Sequence, residues 1–179
     1  SSLMSPHMFS GWGIRTLDDR ELRYNPMAYH NGSVWPHDNA MAALGLARYG
    51  FREHALALFE AMYRASVHFD LHRMPELFCG FERRDHDGPT PYPVACAPQS
   101  WAAGASFMLL QACLGLDIEA PARRLRFVRP ALPENLARLV IRNLRVGDSS
   151  ADVVVSREGR HVNVHVDRCD GELEILVVK

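Results

Sequence analysis

The feature that most constrains the fold is a change in hydrophobic period about two thirds of the way along the 179-residue chain. Before that point, apolar residues recur at three- and four-residue steps, which is typical of amphipathic helices. After about Ile118 they alternate or are β-branched, which is typical of strands. We therefore expect the helices to lie within residues 1–117 and residues 118–179 to form a β-strand appendage packed on the helices.

Three helices are predicted in the first region. The first spans about Pro36–Tyr49, and Pro36 suits a first helical position because its missing N–H costs nothing there. The second spans about Arg52–Phe69, and the short connection at Gly50 predicts an antiparallel helical hairpin. The third spans about Pro98–Leu114 and is apolar around nearly its whole circumference, which predicts a helix buried on all sides.

The second region is expected to be an antiparallel unit, since Gly-containing turn sequences separate its strand-like runs. The predicted strands are Leu125–Val128, Arg138–Val146, Asp152–Ser156, His161–Val166 and Glu172–Val178. Between the second and third helices, residues 70–97 contain four prolines and no regular period. A loop of this length in a compact domain is usually functional or disordered, and its aromatic residues argue for order.

Charge and composition exclude several kinds of partner. Lys plus Arg number 20 against 21 for Asp plus Glu, so there is no basic surplus with which to neutralise nucleic-acid phosphates. No apolar run approaches the roughly 20 residues of a membrane span, and the first residues lack the pattern of a signal peptide. We expect a cytoplasmic protein.

The four cysteines form no Cys-x-x-Cys pair, which removes zinc-ribbon and thioredoxin-like interpretations. Cys113 lies in an apolar helical run and is expected to be a buried thiol. Cys79 and Cys96 lie in loops that leave a pairing open, but the reduced state is the default in the cytoplasm. The chain also contains no Gly-x-Gly-x-x-Gly, phosphate-loop or Gly-x-Ser-x-Gly motif, so phosphate-binding and serine-hydrolase interpretations have no support. We expect no cofactor.

The densest group of chemistry-bearing residues is the segment 24–39, YNPMAYHNGSVWPHDN. Aromatic rings stack on sugar rings, while His, Asp and Asn side chains suit ring hydroxyls. We expect a ligand-facing loop at the N-terminal end of a helix. The candidate contact residues are Tyr29, His30, Trp35, His37 and Asp38. The alternatives are ordinary structural roles, with Trp35 as a core plug and Asp38 as a helix-start acid.

Glu76 is the candidate for a general base. It follows Pro75, which restricts the backbone and would fix the direction of the carboxylate. The alternative is a surface glutamate, or one paired with Arg73 or Arg83, and spacing alone favours that alternative.

A metal site is a weaker hypothesis. His68 and His72 lie four residues apart, which is a metal-ligand spacing when both lie on a helix. The helix is expected to end near Phe69, however, and no third ligand is evident. We therefore expect no metal.

Four segments together resemble one family, the amylo-α-1,6-glucosidase-like group related to glycogen debranching enzymes. They are FSGWGIRTL (9–17), YNPMAYHNGSVWPHDNA (24–40), RMPELFCGF (73–81) and YPVACAPQSWAAGA (92–105), in matching order and spacing. The resemblance implies a mainly α fold: a partial α/α toroid, built from helical hairpins of a six-hairpin ring, with a C-terminal antiparallel β appendage. Residues 1–117 would be the C-terminal part of the toroid domain, and residues 118–179 the appendage. It also implies inverting glycoside hydrolysis by a general acid and a general base.

The resemblance assigns roles to residues that match the family's motifs. Glu76 matches the general base. Tyr29, His30, Trp35 and His37 match the glucose-contacting loop, and Asp38 matches an acidic position in the same motif. Gln99 and Trp101 match the motif that opens the last toroid helix. The family's general acid comes from helices earlier in a longer chain, and no counterpart is present here.

The chain is therefore expected to be the C-terminal portion of a debranching-type enzyme that acts on α-glucosidic linkages. It would carry the base, lack the acid and be inactive alone, with an α-glucan or gluco-oligosaccharide as partner. An incomplete ring would expose an apolar edge, which favours self-association or docking to the missing N-terminal half. The alternative is a non-catalytic carbohydrate-binding or assembly module on the same scaffold.

Overall fold

The computed structural model describes residues 2–159 and 161–179. The helices are α1 (Pro36–Arg48), α2 (Arg52–Ser66) and α3 (Ser100–Leu114). The strands are β1 (Leu116–Glu119), β2 (Arg124–Val128), β3 (Arg138–Val146), β4 (Ser149–Glu158), β5 (His161–Asp170) and β6 (Glu174–Val178). The chain divides into two compact units, Ser1–Leu110 and Gln111–Lys179.

The predicted mainly α fold, a partial α/α toroid, is wrong. Within the described residues 29% of the chain is helical and 28% is strand, in two small sheets. Helices form where the 3.6-residue period predicted them. The segments before α1 and between α2 and α3 consist mostly of turns, short 3-10 turns and isolated bridges. Their prolines and glycines oppose helix formation, so these segments do not supply the further helices that a ring requires.

Helices α1 and α2 pack against each other across a short connection that contains Gly50. Gly50 has φ 87°, a left-handed conformation that glycine adopts without steric cost. The prediction of a helical pair at these positions is confirmed, although α2 ends at Ser66, three residues before the expected Phe69.

Helix α3 begins at Ser100, two residues later than predicted. Its expected burial on all sides is wrong, because Phe107 is 78% and Trp101 47% exposed. Other side chains of the helix, such as Ala105 and Leu109, are buried. An apolar circumference permits burial on every side, but it does not provide neighbours to pack against.

The first unit has a core of aliphatic and aromatic side chains drawn from the helices and from the irregular segments. Its fully buried members include Val34, Leu58, Leu77 and Phe78. Leu77 and Phe78 directly follow Glu76, so the segment that carries Glu76 is anchored in the core.

The second unit contains two three-stranded sheets. In one, β2 pairs antiparallel with β1 and parallel with β6. The expectation of a purely antiparallel appendage is therefore wrong at β6, and β1 lies outside the predicted strands. In the other sheet β4 is central and pairs antiparallel with β3 and β5. The side chains of Val153 and Val155 on β4 are fully buried, as are Leu125 and Phe127 on β2.

Among the described residues, Cys79, Cys96, Cys113 and Cys169 are not joined by any disulfide. Cys113 is buried, which confirms that prediction, while Cys96 is exposed. Within the described ranges, none of the helices combines the length and the apolar character needed to cross a bilayer.

Candidate active site

A row of four backbone segments forms the frame of the candidate site. Three isolated antiparallel β-bridges join these segments: Arg15 with Val34, Val34 with Phe78, and Phe78 with Pro91. Val34 and Phe78 exchange both backbone hydrogen bonds, with N···O distances of 2.9 and 3.0 Å. Segments that are far apart in sequence, three of them from the motifs quoted above, therefore lie side by side.

Two buried polar side chains tie this frame together. Arg15 donates from Nε to the carbonyl oxygen of Gly80 at 2.8 Å. The Asn39 amide oxygen accepts the Ile14 N–H at 2.6 Å, and its nitrogen donates to the carbonyl oxygens of Ile14 and Trp35. Arg15 and Asn39 thereby satisfy backbone groups of the irregular segments, namely those of Gly80 and Ile14, as buried polar groups must be satisfied.

A close approach of two backbones brings the loop at residues 24–35 against the segment at residues 76–81. A Cβ atom on Gly80 would lie 1.7 Å from the carbonyl oxygen of Gly32. The Gly80 N–H donates to the carbonyl oxygen of Pro26 at 2.8 Å. No residue with a side chain fits at position 80 without displacing one of these segments.

Glu76 is 7% exposed, and three hydrogen bonds fix it. Its N–H donates to the Cys96 carbonyl oxygen at 2.8 Å, and the Cys96 N–H donates to Oε2 at 3.2 Å. The Tyr29 hydroxyl donates to Oε1 at 2.5 Å. A carboxylate offers about four acceptor positions, so these donors leave capacity for a water molecule. Arg83, one alternative partner, has its guanidinium over the Trp12 ring at 5.2 Å.

These contacts favour the ionised form of Glu76. The Tyr29 hydroxyl is the largest cause of a pKa lowered from the ordinary value of 4.5, followed by the Cys96 backbone N–H, and the nearby His37 adds a smaller effect of the same sign. Conversely, the hydrogen bond to Glu76 raises the pKa of Tyr29 to about 12, with burial adding to the shift. Hydrogen bonds to an anion stabilise it, so Glu76 is a carboxylate and Tyr29 a neutral phenol at neutral pH.

The backbone of Tyr29 is fixed by its own loop. Its carbonyl oxygen accepts hydrogen bonds from Ser33 Oγ at 2.7 Å and from Trp35 Nε1 at 3.1 Å. Trp35 is buried, and its indole N–H helps to hold the Tyr29 backbone in place. Its ring meets the Tyr29 ring edge-on, with centroids 4.8 Å apart.

A stacked pair of rings lies next to Trp35. His37 and Trp101 are nearly parallel, with an interplanar angle of 12° and centroids 4.3 Å apart. Trp35 meets both of them edge-on. His37 Nε2 lies 3.1 Å from an oxygen of the exposed Asp38 carboxylate. Trp101 is also 47% exposed, so part of its side chain is open to solvent.

The structure thus links most of the predicted site residues through direct contacts. Glu76 contacts Tyr29, whose ring meets those of His30 and Trp35. His37 and Trp101 follow through Trp35, and Asp38 joins through His37. Gln99 is placed by its backbone, since its carbonyl oxygen accepts the Ala103 N–H at the start of α3.

Two residues at the site were not predicted from the sequence. Cys96 supplies both backbone contacts to Glu76, and the Tyr92 ring lies 5.8 Å from that of Tyr29. Both belong to the fourth quoted motif, so the only sequence signal was their membership of it. The contacts themselves depend on long-range backbone pairing.

The structure gives little support to a metal site. His72 lies beyond the end of α2 and has φ 56°, so it does not share a helix face with His68. Among the described residues, one group has metal-ligand proximity: His7, Asp18 and Asp19. There His7 and Asp19 are paired with each other, and Arg20 engages both oxygens of Asp18. We assign no metal to either place.

A comparison with protein families matches residues 1–76 to the mannosylglycerate hydrolase MGH1-like glycoside hydrolase domain. The match includes the whole loop at residues 24–35 and ends at Glu76. It supports the resemblance at the level of a glycoside hydrolase domain and does not identify the debranching group. No curated protein matches the chain.

Proposed function

We propose that this chain carries the general-base half of an inverting glycoside hydrolase active site. The observation that carries the proposal is the Glu76 carboxylate, held ionised by Tyr29 and Cys96. It lies within the segment that matches a glycoside hydrolase domain. A general base must be ionised to accept a proton and must be held in position, and the Glu76 carboxylate meets both conditions.

In the proposed step Glu76 accepts a proton from a water molecule as the water oxygen bonds to the anomeric carbon. The glycosidic C–O bond breaks, and the departing oxygen takes a proton from a general acid. Inversion follows because water attacks the face opposite the leaving group, which requires the two carboxyl groups to lie about 6.5–9.5 Å apart.

The general acid is the missing part. Glu76 and Asp38 are the carboxylates that the described contacts bring to the ring cluster, and Asp38 is paired with His37. We propose that neither is the acid, which is supplied from outside these residues. On this view the chain binds its sugar and can activate water, but it cannot protonate an ordinary leaving oxygen.

The proposed ligand is a sugar with an α-linked glucosyl unit, as in an α-glucan or gluco-oligosaccharide. We expect Tyr29, His30, His37 and Trp101 to line its binding site, with Asp38 and Gln99 at the edge. Trp35 is buried, so we expect it to act mainly by supporting Tyr29. The name of the matched family refers to a mannosyl compound, so a mannosyl ligand must be tested beside the glucosyl one.

The experiment uses substrates whose leaving group needs no acid. Fluoride departs without protonation, so the 179-residue chain should hydrolyse α-D-glucosyl or α-D-mannosyl fluoride. NMR should show the β-anomer as the first product. Maltose and isomaltose should not be cleaved measurably. If neither fluoride were hydrolysed, the proposal that Glu76 is the base would be refuted. Rapid cleavage of maltose would show that these residues include a general acid.

The second candidate is a non-catalytic carbohydrate-binding or assembly module. The low exposure of Glu76 and the existing hydrogen bonds to both of its oxygens favour it, since they also suit a purely structural carboxylate. Calorimetric titration with gluco-oligosaccharides distinguishes the two. This candidate would be favoured if the Glu76→Gln variant still bound the oligosaccharides and the wild-type chain did not hydrolyse the glycosyl fluorides.

We also propose a cytoplasmic location. The support is cysteine chemistry: no disulfide joins the described cysteines, which suits a reducing compartment. Fractionation of the cells that produce the protein tests this directly.

A further inference from the structure

The Tyr29 hydroxyl lies at the Glu76 carboxylate, and this placement distinguishes Tyr29 from a simple sugar contact. The O···O distance is 2.5 Å, at the short end for a hydroxyl that donates to a carboxylate. The donor capacity of the phenol is therefore already used within the protein. A sugar hydroxyl can approach only as a donor to the phenol oxygen.

The rest of Tyr29 is held so that its hydroxyl stays at this position. Hydrogen bonds from Ser33 and Trp35 fix its carbonyl group. Its ring meets those of Trp35, His30 and Tyr92 at steep angles, with centroid distances of 4.8, 4.7 and 5.8 Å. A ring enclosed in this way cannot turn its hydroxyl elsewhere without losing packing and edge-to-face contacts.

We propose that Tyr29 is a positioning residue for the base: its hydroxyl holds Oε1 of Glu76 on one side while the Cys96 N–H holds Oε2 on the other. This inference rests on the proposed function and deepens it. With both oxygens fixed, the carboxylate plane cannot rotate, and the unused lone pairs keep one direction. A water molecule bound there would stay aligned with the anomeric carbon, and such alignment is a major source of rate.

Other groups around the pair set the pH behaviour. The Cys96 thiol and His37 face Glu76, while His30 and Tyr92 pack against Tyr29, and Asp38 pairs with His37. The Tyr29 hydroxyl has the largest effect among the groups that act on the Glu76 pKa. Removing it should raise this pKa toward or above 4.5, because the anion loses its strongest hydrogen bond. The acid limb of kcat/KM should then move to higher pH.

The test compares Tyr29→Phe with Tyr92→Phe in the intact chain. Tyr92→Phe is the matched control, since it removes a hydroxyl from a ring that packs on Tyr29. Carbon-13 NMR of the glutamate carboxyl carbons follows Glu76 directly, with its signal assigned from Glu76→Gln. We expect Tyr29→Phe to move the Glu76 midpoint up by about one pH unit, a tenfold change in proton affinity. Tyr92→Phe should leave the midpoint in place.

A second measurement covers the case in which Tyr29→Phe does not fold. Glu76→Gln removes the hydrogen bond to a charged acceptor, which is the largest cause of the raised Tyr29 pKa, and it also removes the nearby charge. Tyr29 should then ionise nearer the ordinary value of 10 than the value of about 12. Carbon-13 NMR of the tyrosine Cζ carbons measures the pH at which Tyr29 ionises. A Glu76 midpoint that does not move in Tyr29→Phe, or a Tyr29 titration unchanged in Glu76→Gln, would overturn the inference.

Kinetics separate this inference from the proposed function. With a glycosyl fluoride, Tyr29→Phe should lower kcat by about tenfold to a hundredfold and change KM by less than about threefold, as a defect in the reacting state predicts. If the wild-type chain does not hydrolyse fluorides but the NMR shifts occur, the function fails and the positioning contact stands. If the wild-type chain hydrolyses fluorides, but Tyr29→Phe keeps the full kcat and the acid limb of its pH profile does not move, the positioning role is refuted. The proposed function then still stands.

Discussion

The two units of the chain fix their backbones by different means. In the unit Ser1–Leu110, single side chains such as Arg15 and Asn39 hold irregular segments by hydrogen bonds to carbonyl and N–H groups. In the unit Gln111–Lys179, ladders of backbone pairs join the strands, and partly exposed ion pairs such as Arg124 with Glu174 lie along them. Ladders need no particular side chain, whereas the first arrangement depends on each one.

This difference explains where the candidate site is found. An irregular frame can aim a side chain in a direction that a helix or sheet does not offer, and functional residues concentrate on such segments. Glu76 and Tyr29 lie on the irregular frame. Single substitutions should therefore have large effects in the first unit and small effects in the second.

The largest loss of stability is expected for Gly80→Ala, since the new Cβ would lie 1.7 Å from the Gly32 carbonyl oxygen. Displacing one backbone segment should cost about 3 kcal/mol, at the upper end for overpacking. Urea unfolding followed by tryptophan fluorescence measures this unit alone, because Trp12, Trp35 and Trp101 all lie within it.

The control for that variant is Gly45→Ala on α1. A Cβ there meets nothing within 4 Å, so helix propensity should stabilise the protein by about 0.5–1 kcal/mol. Equal effects of the two variants would contradict the close approach of residues 32 and 80.

A smaller loss is expected for Asn39→Leu, which leaves the Ile14 N–H and carbonyl groups without their partner. Two unsatisfied buried backbone groups should cost about 2–3 kcal/mol. The matched substitution in the second unit is Asn163→Leu, which removes one exposed hydrogen bond to Glu158. We expect that change to stay within about 0.5 kcal/mol by circular dichroism. If Asn163→Leu cost as much as Asn39→Leu, the contrast between the units would be lost.

The smallest effect is expected for Arg124→Gln in the second unit. Arg124 lies 2.6 Å from Glu174 and 3.0 Å from Glu119, but these groups are partly exposed. Water screens such pairs, so we expect calorimetry to show a Tm within about 3 °C of the wild type. A larger fall would show that ion pairs, and not the ladders, hold this sheet.

The regular parts of the fold were predictable because their signals are local. The helix start at Pro36 and the strand Arg138–Val146 follow from proline chemistry and from alternation within a few residues. The fold class was not predictable in this way. Shared motifs around residues 24–40 and 73–81 suggested a ring, but motifs describe a site and do not supply the helices between them.

The site was predictable in its parts and not in its contacts. The composition of the segment 24–39 was enough to identify it as a candidate ligand loop. Its aromatic rings pack against near neighbours in sequence, as Tyr29 and Trp35 do. The bond between Tyr29 and Glu76 joins residues 47 positions apart. It exists because Val34 pairs with Phe78 and because two glycines let the segments approach. The local hydrophobic pattern of a sequence does not predict such long-range pairing of backbone segments.

The most direct test of the account is the rate of glycosyl fluoride hydrolysis by Glu76→Gln. The amide cannot accept the proton from water, so the rate should fall by about 10²–10⁴-fold while the protein stays folded. Glu53→Gln, in the first turn of α2, is the matched control and should keep the wild-type rate. Undiminished hydrolysis by folded Glu76→Gln would contradict the assignment of Glu76 as the base.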